Sequence, residues 1–139
     1  MINIGIEVEN IDWEKIRQVL KERAGSWAEK VWIRKGKPFT KKEARRRFMI
    51  GVHNYDSLGY GMQTYGWLPL DGDYNVIDCP VLTKTGDGQY WTDKSPEEID
   101  FDDVMSKAKW VLYFCYCSWE GRKYASLCRI EEAGKDEKE

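Results

Sequence analysis

The segment 110–130, WVLYFCYCSWEGRKYASLCRI, decides the fold class of this 139-residue chain. Trp110 to Ser118 is almost wholly apolar and aromatic. This composition predicts a strand near the centre of a sheet, covered by a helix on at least one face. Glu120 and Gly121 form a turn, and Arg122 to Ile130 is expected to return as the partner strand of a hairpin.

Helices are predicted in three segments outside this hairpin. The first segment is Asp12 to Ala24, where Asn10 or Asp12 can cap the helix. Its apolar residues fall on one stripe that is expected to pack on the sheet: Trp13, Ile16, Val19 and Leu20. Lys41 to Met49 begins after a capping box, and a third helix is expected to start at Ser95 and run to about Lys107.

Short strands account for much of the remaining chain. The strict alternation of Met1 to Glu9 predicts a strand with one buried face. Further strands are predicted at Trp27 to Arg34, Gln63 to Leu70, Asn75 to Thr83 and Gln89 to Thr92. A turn is predicted at Asp71 to Asp73. Gly51 to Gly61 is rich in turn-forming residues and is predicted to be a loop.

Strands and hairpins outnumber helices, which predicts an α+β fold with a mainly antiparallel sheet and two to three short helices. One domain is expected over residues 1–130, and a charged flexible tail over residues 131–139.

Composition predicts a cytoplasmic protein without a cofactor. No apolar run approaches the roughly 18 residues of a membrane span, and the N-terminus lacks the pattern of a signal peptide. Reduced thiols are therefore expected at Cys79, Cys115, Cys117 and Cys128. Cys115 and Cys117 share a strand face and are expected to be buried. No C-x-x-C pair occurs and His53 is the only histidine, so no metal site is predicted.

Charge is unevenly distributed around the net value of −2. Nine basic and three acidic residues lie between Trp27 and Tyr60, a local charge of +6. Three basic and ten acidic residues lie between Leu68 and Ala108, a local charge of −7. Such blocks can steer a charged partner, unless they face each other or water.

The acidic block is the first candidate for a binding surface. It carries Glu97, Glu98, Asp100, Asp102 and Asp103. Rows of carboxylates can occupy a partner's phosphate-binding surface, with loop aromatics as anchors: Tyr60, Tyr65 and Trp67. Carboxylates in this spacing also suit a divalent cation. The competing interpretation is a solvated helix start that the helix dipole favours.

A pocket for a small, nucleotide-like ligand is the second candidate. Arg45, Arg46 and Arg47 would meet its phosphates, and Tyr55 with other loop aromatics would stack on its base. Consecutive arginines fan over more than half of a helix, so they do not form one stripe. The pI of about 5.6 argues against a dedicated nucleic-acid binder.

An enzyme, such as a nuclease, is the third candidate. His53 and Asp56 lie in the same glycine-flanked segment and have the chemistry of an acid and a base. The competing interpretation is a turn stabilised by polar side chains. The sequence contains no Walker phosphate loop and no G-x-G-x-x-G, G-x-S-x-G or H-E-x-x-H motif, which argues against the corresponding enzymes.

With seven Trp, eight Tyr, bipolar charge and no catalytic motif, the chain resembles in character the small proteins that phages and mobile elements carry to block host machinery. It also resembles small cytosolic immunity proteins. The resemblance implies a non-enzymatic binding protein that inhibits or sequesters a protein or a protein–nucleic-acid complex of the host. It is a resemblance of character, so it assigns no site residues. We rank this function first, ligand binding second and catalysis third.

Overall fold

The computed structural model describes residues 10–57, 61–77, 99–118 and 120–131, with the backbone alone at 53–57, 61 and 62. In chain order, the elements are α1 (Trp13–Ala24), a 3-10 helix (Ser26–Lys30), β1 (Ile33–Lys35), β2 (Phe39–Thr40), α2 (Lys41–Ile50), β3 (Val52–Ser57), β4 (Gly61–Leu70), α3 (Phe101–Lys107), β5 (Trp110–Cys117) and β6 (Arg122–Glu131).

Within these ranges, five strands form one sheet in the order β1-β6-β5-β4-β3. The pairs between β3, β4, β5 and β6 are antiparallel, whereas β1 runs parallel to β6. The short strand β2 also pairs parallel with β6, further along the same edge. These pairings and the three α-helices confirm the predicted fold class, a single α+β domain with a mainly antiparallel sheet.

The hairpin of β5 and β6 lies at the centre of the sheet, as predicted. β5 is paired along its whole length, with β4 on one side and β6 on the other. Side chains alternate between the two faces of a strand. β5 therefore contributes to two core layers, with Leu112 and Phe114 on one face and Val111 on the other, all fully buried.

One face of the sheet is covered by α1. Its residues Ile16 and Leu20 are fully buried. They belong to one apolar cluster with the sheet residues Leu112, Phe114, Ala125 and Leu127. Burial of each large apolar side chain contributes about 1.5–3 kcal/mol, so this layer is a main source of stability.

The opposite face is covered at one end by α2 and α3. Ala44 and Phe48 of α2 pack with Phe101 and Val104 of α3 over Val111 of the sheet. The basic helix α2 and the acidic helix α3 are therefore direct neighbours.

The starts of α1 and α2 follow the predicted capping chemistry. The side chain of Asp12 accepts a hydrogen bond from the backbone N–H of Lys15 at 3.1 Å. Thr40 Oγ1 accepts one from the backbone N–H of Glu43 at 3.1 Å, as a capping box requires.

The prediction of one continuous helix from Ser95 to about Lys107 is wrong, and Ser95 itself lies outside the described residues. α3 begins at Phe101, and Asp100 is its N-cap with non-helical backbone angles. One oxygen of Asp100 accepts hydrogen bonds from the backbone N–H groups of Asp102 and Asp103, both at 3.1 Å. A carboxylate that accepts hydrogen bonds from the otherwise unpaired N–H groups of the first turn caps the N-terminus of a helix. Asp100 therefore marks the start of α3.

The predicted strand Trp27 to Arg34 is wrong in its first half. Ser26–Lys30 forms a 3-10 helix, and Trp27 Nε1 donates a hydrogen bond to the carbonyl of Ala24 at 2.9 Å. Only Ile33–Lys35 pairs as a strand.

The predicted loop Gly51 to Gly61 is also wrong, because it contains the strand β3. Val52 lies opposite Gly66, and Ser57 lies opposite Gly61. The polar sequence of β3 has little strand propensity, so its pairing with β4 stabilises the extended backbone.

The predicted turn at Asp71 is confirmed. Its carboxylate accepts hydrogen bonds from the backbone N–H groups of Asp73 at 2.8 Å and Asn75 at 3.0 Å. Within the strand predicted over Asn75 to Thr83, Val76 forms an isolated bridge with Leu70, and the part beyond residue 77 lies outside the described residues. The predictions for Met1 to Glu9, Gln89 to Thr92 and residues 132–139 also lie outside them.

Two further predictions concern the C-terminal end of β6 and the cysteines. Glu131, placed in the tail by the sequence, is the last residue of β6 and lies opposite Thr40. Cys115, Cys117 and Cys128 are buried free thiols, as expected. Across the ranges described above, no helix is long and apolar enough to cross a membrane.

Candidate ligand-binding site

A cavity of about 390 Å³ lies between the first turns of α1 and the edge strand β1. Two tryptophans and three cationic residues account for most of its lining: Trp13, Arg17, Trp32, Ile33, Arg34 and Lys35. We call it the tryptophan cavity. Ligand sites in proteins typically measure about 300–1,000 Å³, so this one is large enough for a small molecule.

Arg17 attaches α1, one wall of the tryptophan cavity, to the 3-10 helix that precedes the other wall. It lies one helical turn after Trp13 on α1. Its Nη1 donates hydrogen bonds to the carbonyl oxygens of Ala28 at 2.6 Å and Glu29 at 3.2 Å. These bonds fix the 3-10 helix against α1, and the chain then runs through Val31, which is buried, to Trp32.

The two tryptophans remain accessible in this arrangement. Trp32 is 78% exposed and Trp13 is 38% exposed. The other aromatic side chains that the structure describes are half-buried or buried. The sequence placed Trp13 on the buried stripe of α1, and that prediction is wrong. Trp13 occupies the first turn of the helix, where its ring borders the cavity while Ile16 and Leu20 enter the core.

The lining has a definite chemical preference. Indole rings stack on flat rings and attract cations to their faces, while guanidinium groups form paired hydrogen bonds with phosphate or carboxylate. Arg17, Arg34 and Lys35 supply positive charge, and no carboxylate occurs among the described lining residues. The cavity therefore favours a ligand that combines a flat ring with negative charge.

A second aromatic cluster lies on the sheet face that α2 partly covers. Trp67 stacks on Tyr113 with ring centroids 5.3 Å apart, and Tyr65 meets the edge of Trp67 at 6.2 Å. Arg47 lies over Trp67, with its guanidinium carbon 5.1 Å from the ring centroid. Tyr65 and Trp67, predicted as partner-binding anchors, are thus half-buried and packed within the protein.

The far end of this cluster is a pair of tyrosines. The hydroxyl oxygens of Tyr113 and Tyr124 are 3.0 Å apart. This hydrogen bond, with burial and the nearby Cys115, raises the pKa of Tyr124 far above its usual value. The hydroxyl of Tyr124 therefore stays protonated at neutral pH.

The predicted acidic surface is engaged in local contacts where the structure describes it. Asp100 caps α3, Asp103 pairs with Lys107 at 3.0 Å, and Asp102 lies 3.5 Å from Arg45. The side chain of Asp102 is nevertheless 89% exposed. Glu97, Glu98 and Tyr60, which complete the predicted surface, lie outside the described residues.

The three arginines predicted to bind phosphate do not converge. Arg45 extends toward α3 and Phe101, whereas Arg46 and Arg47 both pair with Glu43. Arg47 Nε is 3.0 Å from Glu43 Oε1. For Tyr55, the fourth residue of that predicted pocket, the structure describes only the backbone, in β3 opposite Gln63.

The predicted catalytic pair also lies in β3. The backbone of His53 pairs with Tyr65, and that of Asp56 pairs with Met62. Their side chains are not described, so the catalytic role remains a prediction. Within the described part of the chain, no group of three or more His, Cys, Asp or Glu side chains is placed to hold a metal ion.

Comparisons with protein families, with curated proteins and with solved structures find no match to this chain.

Sequence reasoning did not identify the tryptophan cavity. Trp13 and Trp32 are nineteen residues apart in the sequence, and they line one cavity because the chain turns back after α1. Part of the signal is in the sequence, because Trp32 lies between Val31 and Ile33 and is flanked by the basic residues Lys30 and Arg34.

Proposed function

We propose that this protein is a non-enzymatic binding module for an anionic ligand that carries a flat ring, of the nucleotide type. One observation carries the proposal: two exposed indoles and three cations line one cavity. The ligand chemistry is that of the second sequence hypothesis, but the residues differ, because Arg45, Arg46, Arg47 and Tyr55 are not among the described lining residues.

Exposure of Trp32 is the strongest argument for binding. Large aromatic side chains dominate recognition sites, because they bury much apolar surface at little cost in conformational entropy. Trp32 leaves most of its ring in water, although the protein buries fourteen other residues in the adjacent core cluster. A ligand ring that stacks on Trp32 would remove this apolar surface from water.

The cations supply the second half of the recognition. Arg34 and Lys35 are exposed on β1, and Arg17 reaches the same cavity from α1. Arg17 is already held by two carbonyl oxygens, so it is oriented before any ligand arrives. Preorganised charges lose less side-chain entropy on binding than mobile ones do.

The test is a calorimetric titration with three probes: adenosine 5′-monophosphate, adenosine without phosphate, and inorganic phosphate without a ring. We expect the monophosphate to bind most tightly, because it alone uses both the indoles and the cations. Trp32→Ala should weaken its binding about 5- to 150-fold, the range expected from about 1–3 kcal/mol of ring stacking. Equal loss in Arg46→Gln but not in Arg34→Gln would place the site on α2 instead. If the three probes bind equally poorly, the proposal is wrong.

A second candidate is the sequestration of a host macromolecule, the function that the sequence ranked first. The exposed carboxylate of Asp102 supports it, since this group is available to a partner despite its contact with Arg45. Affinity purification from host extract with the wild-type protein, with Asp102→Lys and with Trp32→Ala would discriminate. A macromolecule that Asp102→Lys loses and Trp32→Ala retains would favour this candidate over the tryptophan cavity.

A further inference from the structure

We infer that the ligand of the tryptophan cavity is single-stranded nucleic acid, held along the adjoining edge of the sheet. The inference rests on the proposed function and names its ligand more narrowly. It depends on how positive charge continues beyond the cavity itself.

Residues 30–42 contain six cations and no carboxylate: Lys30, Arg34, Lys35, Lys37, Lys41 and Lys42. We call this segment the basic edge. It includes β1 and β2, which both pair with β6, so it follows one border of the sheet. Its extended part from residue 33 to 40 has a length of about 23 Å, at about 3.3 Å per residue.

Only Arg34 and Lys35 of these six residues line the cavity. A free nucleotide bound in the cavity would therefore not reach Lys30 and Lys37, which are exposed on either side of the lining residues along the chain. A chain of phosphates that continues from the cavity would meet them in turn. Binding of a polyanion is favoured when several such contacts release condensed counterions together.

Three carboxylates among the described residues lie next to this edge. Glu29, just before it, lies 3.5 Å from Lys21, and Glu43, just after it, pairs with Arg46 and Arg47. Glu131 on β6 lies opposite Thr40 and reduces the charge at that end. The low pI of the whole protein reflects the acidic block at residues 68–108.

Trp32 makes a single strand the preferred form. It lies within the run of cations, two residues from Lys30 and two from Arg34. Aromatic side chains interleaved with basic ones are typical of single-strand binding, because each exposed base offers a face for stacking. In a duplex the bases are already stacked on each other, so Trp32 would gain no partner.

The experiment measures fluorescence anisotropy of labelled oligothymidylates of one, four, eight and sixteen nucleotides at several salt concentrations. We expect affinity to rise with length up to the length that the edge can hold. The slope of log affinity against log salt should be about −0.7 for each phosphate contacted. Trp32→Ala should weaken binding about 5- to 150-fold at every salt concentration.

Two variants separate the basic edge from general positive charge. The triple change Lys30→Gln, Arg34→Gln and Lys37→Gln should reduce the salt slope by about two in magnitude, since about 0.7 is lost per cation. The matched control, Arg122→Gln with Lys123→Gln, removes two exposed cations at the opposite end of β6 and should leave the slope unchanged.

Each other outcome overturns a definite statement. Mononucleotide binding as tight as that of sixteen nucleotides would reject the nucleic-acid ligand and leave the proposed function standing. If neither the mononucleotide nor the oligonucleotides bind, the nucleic-acid ligand and the proposed function are both rejected. Duplex or inorganic polyphosphate binding as tight as single strands, with no effect of Trp32→Ala, would show attraction by charge alone and reject the inference.

Discussion

Gly36 and Cys128 are so close that a Cβ atom on Gly36 would lie 2.6 Å from Cys128 Sγ. The backbone N–H of Gly36 donates to the carbonyl of Leu127 at 2.9 Å, which extends the parallel pairing of β1 by one residue. The thiol thus fills the place where a side chain at position 36 would stand. Glycine is required here by the close approach of two strands.

Gly36→Ala should therefore destabilise the protein by about 1–3 kcal/mol, the usual cost of forcing a methyl group into packed surroundings. The measurement is the midpoint of urea unfolding. Cys128→Ala removes the sulfur that the new methyl group would contact, so the double variant should be more stable than the sum of the two single changes predicts. Strict additivity would mean that the two residues do not compete for space.

The same thiol should make stability depend on alkaline pH. Burial raises the pKa of Cys128 to about 11, although the backbone N–H of Gly36 acts in the opposite direction. A raised pKa means that the folded state holds the proton more tightly than the unfolded state. Its stabilising effect is complete below pH 9 and is lost as the pH rises toward 11, where unfolding releases the proton.

Urea unfolding at pH 8 and at pH 10.5 tests this effect. Wild-type protein should lose more stability between the two pH values than Cys128→Ala, by at most about 3 kcal/mol for a pKa raised to about 11. Other groups titrate in both proteins, so the difference isolates the thiol. Parallel losses in the two proteins would contradict the assignment.

Gly66 is a second position where only glycine fits. A Cβ atom there would lie 2.6 Å from both the carbonyl oxygen of Gly51 and the Cα of Val52. These are backbone atoms at the junction between α2 and β3, and they cannot rotate away. Gly66→Ala should cost more than Gly36→Ala, about 3 kcal/mol or more. Gly72→Ala is the matched control, since its nearest neighbour would be Lys109 Cγ at 3.8 Å, and its cost should stay within about 0.5 kcal/mol.

The elements that the sequence predicts correctly are those whose local signals and packing agree. α1 and α2 each have a capping side chain at the predicted residue. β5 is apolar on both faces, and it is buried on both faces because a strand lies on each side and helices cover the sheet. In these segments periodicity and capping favour the same structure.

The errors arise where a distant partner determines the structure. The polar residues of β3 resemble a turn and become a strand only through pairing with β4. Parallel pairing of β1 and β2 with β6 joins segments about ninety residues apart, which local propensity does not encode. The tryptophan cavity depends on that edge and on Gly25, whose φ of 121° is a conformation that other residues rarely adopt.

The acidic helix offers a last prediction, which separates folding from binding. Asp100 accepts two backbone hydrogen bonds at the start of α3, whereas Asp102 makes one exposed contact with Arg45 at 3.5 Å. Asp100→Ala should cost about 0.5–2 kcal/mol as the loss of an N-cap. Asp102→Ala should cost less than about 0.5 kcal/mol, because an exposed ion pair contributes little. Urea unfolding of the two variants gives the comparison directly. Equal costs would show that Asp100 does not cap α3, whereas the expected difference makes Asp102 the residue at which charge can be reversed to test partner binding without weakening the fold.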